Sequence, residues 1–121
     1  HQITGIETWF WLPADQWVPH TARAELPGVW AEVTATPTSA AWDPGDGASP
    51  VVCAGPGRPA TSGGDTDCGH VYTVIGDYTL TLEVTYEVTW RSSTGETGTF
   101  DPIVLTDTAP VEVQQRQAVV N

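Results

Sequence analysis

The most regular pattern in the chain runs from Tyr78 to Trp90. Tyr78, Leu80, Leu82, Val84, Tyr86, Val88 and Trp90 alternate with Thr79, Thr81, Glu83, Thr85, Glu87 and Thr89. Strict period two over β-branched and aromatic residues predicts one long strand with its apolar row inside and its Thr/Glu row outside. A helix would scatter the same residues around its circumference. Val29 to Thr36 alternates likewise, Val29, Ala31, Val33 and Ala35 opposing Trp30, Glu32, Thr34 and Thr36. Ile103 to Thr106 predicts a short strand, and Val111 to Val119 a more weakly patterned one. Ile3 to Leu12 carries Ile6, Trp9, Phe10 and Trp11 and predicts an edge or capping strand. Within it, period two puts Trp9 and Trp11 on one face and Phe10 on the other.

Helix signals shrink to a single turn, Pro13-Ala14-Asp15-Gln16-Trp17, with proline at its first position and Val18-Pro19 as its stop. Turn signals are dense: Pro27-Gly28, Pro44-Gly45, Asp46-Gly47, Gly63-Gly64, Gly76-Asp77 and Thr94-Gly95. Short strands so punctuated predict an all-β antiparallel sandwich or barrel. Gly45 to Asp67 is the one long irregular connection, and Cys53 and Cys68 bracket fourteen residues in and beside it. That spacing suits a disulfide closing the loop, worth about 3 kcal/mol on the chain-entropy model. A pair of buried thiols or half a metal site are the alternatives, and only His70 lies close enough in sequence to extend a zinc set. No repeat or linker divides the chain, so residues 1–121 read as one domain.

Charge narrows the partners. Fifteen acidic residues face four arginines and no lysine, a net charge of −11. Such a chain repels phosphate backbones and anionic headgroups, which argues against nucleic-acid and membrane-surface binding. No apolar run of about 18 residues occurs, so this segment is not expected to insert into a membrane. Forty per cent hydrophobic residues, with six tryptophans, exclude a disordered acidic tail. At 12.9 kDa, surface scaling expects a folded area of about 6,300 Å² and one core. The cysteine pair points to an oxidising, exported compartment. Abundant Ala, Gly, Val, Thr and Pro without lysine suggests a GC-rich bacterial genome, and the opening at His1 a domain cut from a longer exported protein.

Two local patterns then combine. Trp42-Asp43-Pro44-Gly45-Asp46-Gly47 ends a short apolar strand, and after the loop come His70-Val71-Tyr72 and Gly76-Asp77-Tyr78-Thr79-Leu80. From Trp42 to Val84 this resembles the polycystic-kidney-disease (PKD) domain, an immunoglobulin-like sandwich with the pattern W-x-F-G-D-G, H-x-Y, G-x-Y-x-V-x-L. Pro44 stands where that pattern has an aromatic, and the cysteine-closed insertion is long. The resemblance implies a non-enzymatic interaction or spacer module of a cell-surface or secreted protein. Elementary chemistry gives the same residues structural work. Gly45 and Gly47 can take positive φ, Asp46 can accept backbone N–H groups across the turn, and Trp42 can plug the space between sheets. His70 and Tyr72, two apart, face one way and can pin the turn before Tyr78.

Reactive chemistry is thin. No Gly-x-Ser-x-Gly elbow, His-Glu-x-x-His helix or phosphate-cradling loop occurs, and a disulfide would remove the thiols from catalysis. A small hydrolase survives as a reading only because carboxylates are plentiful, and no cofactor is implied. Asp43, Asp46, Asp65 and Asp67 offer hard oxygens for calcium, although not in EF-hand spacing. Trp9, Trp11 and Trp17 form the candidate partner surface, with at least one expected to be exposed for a neighbouring domain, another surface protein or a glycan. The alternative function is accordingly a carbohydrate-binding module beside a hydrolase.

Overall fold

The computed structural model describes residues 2–60 and 65–115. Its centre is β7 (Gly76–Ser92), which realises the long alternating segment. Val84 and Val88 are buried and Tyr78, Leu80, Leu82, Tyr86 and Trp90 half-buried; of the row expected outside, Thr79, Glu83, Glu87 and Thr89 are exposed, whereas Thr81 and Thr85 are half-buried. β7 lies between β4 (Val29–Asp43) and β8 (Thr97–Gln114), antiparallel to both. Outside β4 run β3 (His20–Leu26) and, farther along, β5 (Val51–Cys53), while β1 (Gln2–Ile3) lies outside β8. β2 (Glu7–Trp9) and β6 (Gly69–Val71) form a separate two-stranded sheet. The one helical turn among the described residues is the 3₁₀ segment Ala14–Gln16 behind Pro13.

The all-β expectation holds among the described residues, but the sheet is mixed rather than purely antiparallel. β1 pairs in parallel with the end of β8, Gln2 opposite Val113 and Ile3 opposite Gln114. The expected strand from Ile3 to Leu12 is also divided. The chain turns after Ile3 through Gly5, at φ +77°, and enters the second sheet as β2. The short strand expected to end at Trp42 is the end of β4, and Ile103 to Thr106 is the middle of β8. Of the expected strand Val111 to Val119, the part through Gln114 belongs to β8; residues 116–119 and Gly63-Gly64 lie outside the described residues. The connection from Gly45 to Asp67 is interrupted by β5.

Both long neighbours of β7 change their inward-facing parity at a bulge. On β4, Pro37 faces Tyr86 and Ser39 faces Thr85, which leaves Thr38 as the extra residue. Its hydroxyl donates to the Thr85 carbonyl at 3.2 Å. Odd residues of β4 therefore share the face of Tyr86 and Val88 before the bulge, and Ala40 and Trp42 share it afterwards. On β8, Val88 faces Phe100 and Tyr86 faces Ile103, so Asp101 and Pro102 together oppose Glu87. Proline is tolerated there because the bulge frees its position from the ladder.

A second layer covers one end of the sheet. Phe10 follows β2 and stacks on Trp42 with centroids 5.1 Å apart, and Ala40, Cys53 and Cys68 complete the buried cluster. Leu12, Trp17, Val51, Leu80 and Leu82 pack around it. The other end, built from β3 and the adjoining parts of β4, β7 and β8, extends as an arm. Every residue of β3 is exposed, and Leu26, Val29, Phe100, Val104 and Leu105 are each at least half exposed. On one face of the arm, Arg23 and Arg91 lie over Trp30 and both reach Glu32. The total accessible area is 8097 Å², above the about 6,300 Å² expected of a globule of this mass.

Candidate functional site

The turn after β4 is built by its own aspartates. Asp43 Oδ1 accepts the Gly45 N–H at 3.0 Å and Asp46 Oδ1 accepts the Ala48 N–H at 3.1 Å. Gly45 and Gly47 take φ of +82° and +90°, as the turn reading expects. A Cβ on Gly45 would run into the Thr79 backbone of β7, so the turn can sit this close to the sheet only with glycine.

β6 brings the second motif against this turn. His70 Nε2 and Asp46 Oδ2 are 2.6 Å apart, both side chains largely buried. The Tyr72 side chain is fully buried, and its hydroxyl donates to the Pro44 carbonyl at 2.9 Å. The His70 ring meets Tyr72 edge-on at 4.8 Å, and Tyr72 lies 5.2 Å from Tyr78. Tyr78 in turn donates its hydroxyl to the Val74 carbonyl at 2.7 Å, closing the turn that leads through Gly76 into β7. Trp42, Asp43, Gly45, Asp46, Gly47, His70, Tyr72, Gly76 and Tyr78 are thus gathered at one end of the sheet. What spacing did not disclose is the acceptor of Tyr72, a main-chain carbonyl on Pro44 that no residue type announces.

Electrostatics follow from these contacts. Burial pushes the Asp46 carboxyl up, but the hydrogen bond and charge of His70 and the Ala48 N–H outweigh it, holding the group below the usual carboxylate value. Burial, with the nearby charge of Asp46 as a smaller cause, raises Tyr72 to about 12. A depressed carboxyl contributes stability that is present above its unfolded value near 4 and is lost as pH falls through the folded value. Wild type should therefore lose thermal stability below about pH 4 more steeply than Asp46→Asn. Melting curves from pH 6 to pH 2 check this, and equal slopes would refute it. Tyr72→Phe should cost about 1–2 kcal/mol in urea unfolding, because the Pro44 carbonyl stays buried without its donor. No measurable loss would remove the hydroxyl from the account.

Among the described hydrogen bonds, no hydroxyl or thiol joins the Asp46–His70 pair. Both cysteines are bound in a Cys53–Cys68 disulfide with Cα atoms 5.7 Å apart. Cys68 is further fixed by its N–H to Thr66 Oγ1 at 3.0 Å and by its carbonyl, which accepts the Phe10 N–H at 2.8 Å. Asp65 and Asp67 are exposed, and the Asp65 carbonyl accepts from the Arg58 guanidinium. Among the described residues no three His, Cys, Asp or Glu side chains converge on a cation position.

The aromatic candidates separate. Phe10 is 3 % exposed, whereas Trp11 is 43 % exposed, as alternation requires. Trp9 and Trp17 are half-buried, with Arg58 5.5 Å from the Trp9 ring and Trp17 against the core cluster. Trp11 borders a shallow hollow with Trp42, Leu80, Leu82 and Asp107. Sequence reasoning passed over Arg58 and Asp107 because neither belongs to a motif or a periodic row.

Together these features define an all-β, disulfide-bonded domain with one covered and one uncovered end. No helix among the described residues is long and apolar enough to cross a membrane. No family model matches the chain, and comparison with curated proteins returned no match.

Proposed function

We propose that the chain is a non-enzymatic, PKD-like immunoglobulin-type module of an exported bacterial protein, serving at the cell surface or in a secreted chain as an interaction or spacer domain. The observation that carries this reading is how the motif residues use their polar atoms. Asp43, Asp46, His70, Tyr72 and Tyr78 direct them at one another and at the backbone of two turns. Such an arrangement braces strands, and among the described residues no serine, threonine or cysteine hydrogen-bonds the histidine. The disulfide supports export, since such bonds persist in oxidising compartments. Maleimide labelling and protease treatment of intact producing cells test the assignment. The expected result is an unreactive cysteine pair in a protein that external protease removes. Reactive thiols in a protease-shielded protein would overturn it.

The exposed Trp11 beside its hollow favours a second reading, a carbohydrate-binding module accompanying a hydrolase. Glycan-array binding that is lost in Trp11→Ala would place this reading first.

A further inference from the structure

The two long edges of the six-stranded sheet are finished differently. β3 is seven residues long and carries His20, Arg23 and Glu25. β8 is eighteen residues long, and among the described residues its outer side is paired only at Val113 and Gln114. Between Pro102 and Pro110, over Ile103 to Ala109, alternate residues turn main-chain groups to that side, and one of the donors, the Thr108 N–H, is taken by Asp107 Oδ1 at 2.8 Å. Exposed edges of this kind template the addition of another strand unless charge or proline blocks them. Here the prolines stand at the ends of the window, and Asp107 is the one charged residue inside it.

The side chains bordering the window form an ordered row. The Asp101–Pro102 bulge keeps Phe100, Ile103 and Leu105 on one face of the sheet, and Asp107 and Ala109 continue it. Phe100 is 57 %, Ile103 46 % and Leu105 57 % exposed. Asp107 stands in this otherwise apolar row opposite Leu82, and it borders two neighbouring hollows, one reaching Trp11 and Trp42, the other Val84 and Tyr86. No ion pair reaches Asp107 or Asp101 among the described residues. Three of the four arginines are engaged elsewhere: Arg23 and Arg91 with Glu32, Arg58 with Trp9 and the Asp65 carbonyl. A second copy of a chain with net charge −11 would bring more acid to this edge.

We propose that the β8 edge from Ile103 to Ala109 takes an extended segment of a basic partner protein as an added strand, a Lys or Arg opposite Asp107 and apolar residues over Leu105 and Ala109. Main-chain pairing supplies the attachment, the hollows along one face select alternate side chains, and the acid sets the register. This rests on the reading of the domain as an interaction module and names the surface and partner chemistry.

The probe is the acetylated, amidated peptide TVTKTVT, which spans Val104 to Pro110 in either strand direction when its central Lys faces Asp107, titrated into the whole chain by NMR and hydrogen exchange. Saturable shifts and slowed exchange confined to Ile103–Ala109 are expected, with at least tenfold weaker binding of TVTETVT. Asp107→Lys, an edge substitution outside the core cluster, should reverse that preference. No saturable response in this window, or equal binding of the two peptides, overturns the proposal. A dimer formed without peptide that protects the same amides would also overturn it by making the occupant a second copy. Either failure leaves the module reading to the surface-labelling test above.

Discussion

Trp42→Ala is expected to lower the free energy of unfolding by about 3–5 kcal/mol, a large share of what a domain of this size holds. Trp42 is 5 % exposed, stacks on Phe10 and joins the six-stranded sheet to the second layer. Its removal leaves a cavity between Phe10, Leu80 and Leu82 that the strands cannot close without giving up their ladder. The ring is not ideally placed, because its Nε1–H is buried with no hydrogen-bond partner. A buried donor in that state costs about 1–3 kcal/mol, so Trp42→Phe, which removes both the donor and some apolar area, should lose clearly less than Trp42→Ala. Urea denaturation of the three proteins decides, and equal losses for the two variants would refute the argument.

Breaking the Cys53–Cys68 bond should come next in size. The bond closes fourteen residues, for which loop entropy gives about 3 kcal/mol, or a fall in melting temperature on the order of 10 °C. The comparison is wild type with and without reductant, alongside the double variant Cys53→Ala with Cys68→Ala. Far-UV circular dichroism should stay β-rich in both, since β4, β7 and β8 pair without the bridge. An unchanged melting temperature would mean that the loop is already constrained without it.

β7 was legible because it has one covered face and one open face, which is the condition for alternation to be informative. β3 was not, although the Pro27-Gly28 turn joining it to β4 was evident. All seven of its residues are exposed, so no burial pattern was ever imposed on them. β4 and β8 read as fragments because Pro37 and Pro102 resemble strand ends. Each instead lies at a bulge, and the extra residue there exchanges the inward and outward rows. The turn aspartates, the positive-φ glycines and the His70–Tyr72 pairing followed from local spacing. The meeting of Asp46 with His70, twenty-four residues on, was not legible, because no local rule joins residues across the intervening loop.

The parallel pairing of β1 with β8 has a consequence in time. Gln2 finds its place only beside Val113, and Thr4 donates its N–H to the Gln114 carbonyl. The hairpin of β7 and β8 can form from neighbouring residues, but β1 must wait until β8 has been made. Closing so long a loop is slow, and its contacts reward the chain only at the end. A ribosome-bound chain therefore holds β1 unpaired, and this sheet is completed only after β8 emerges.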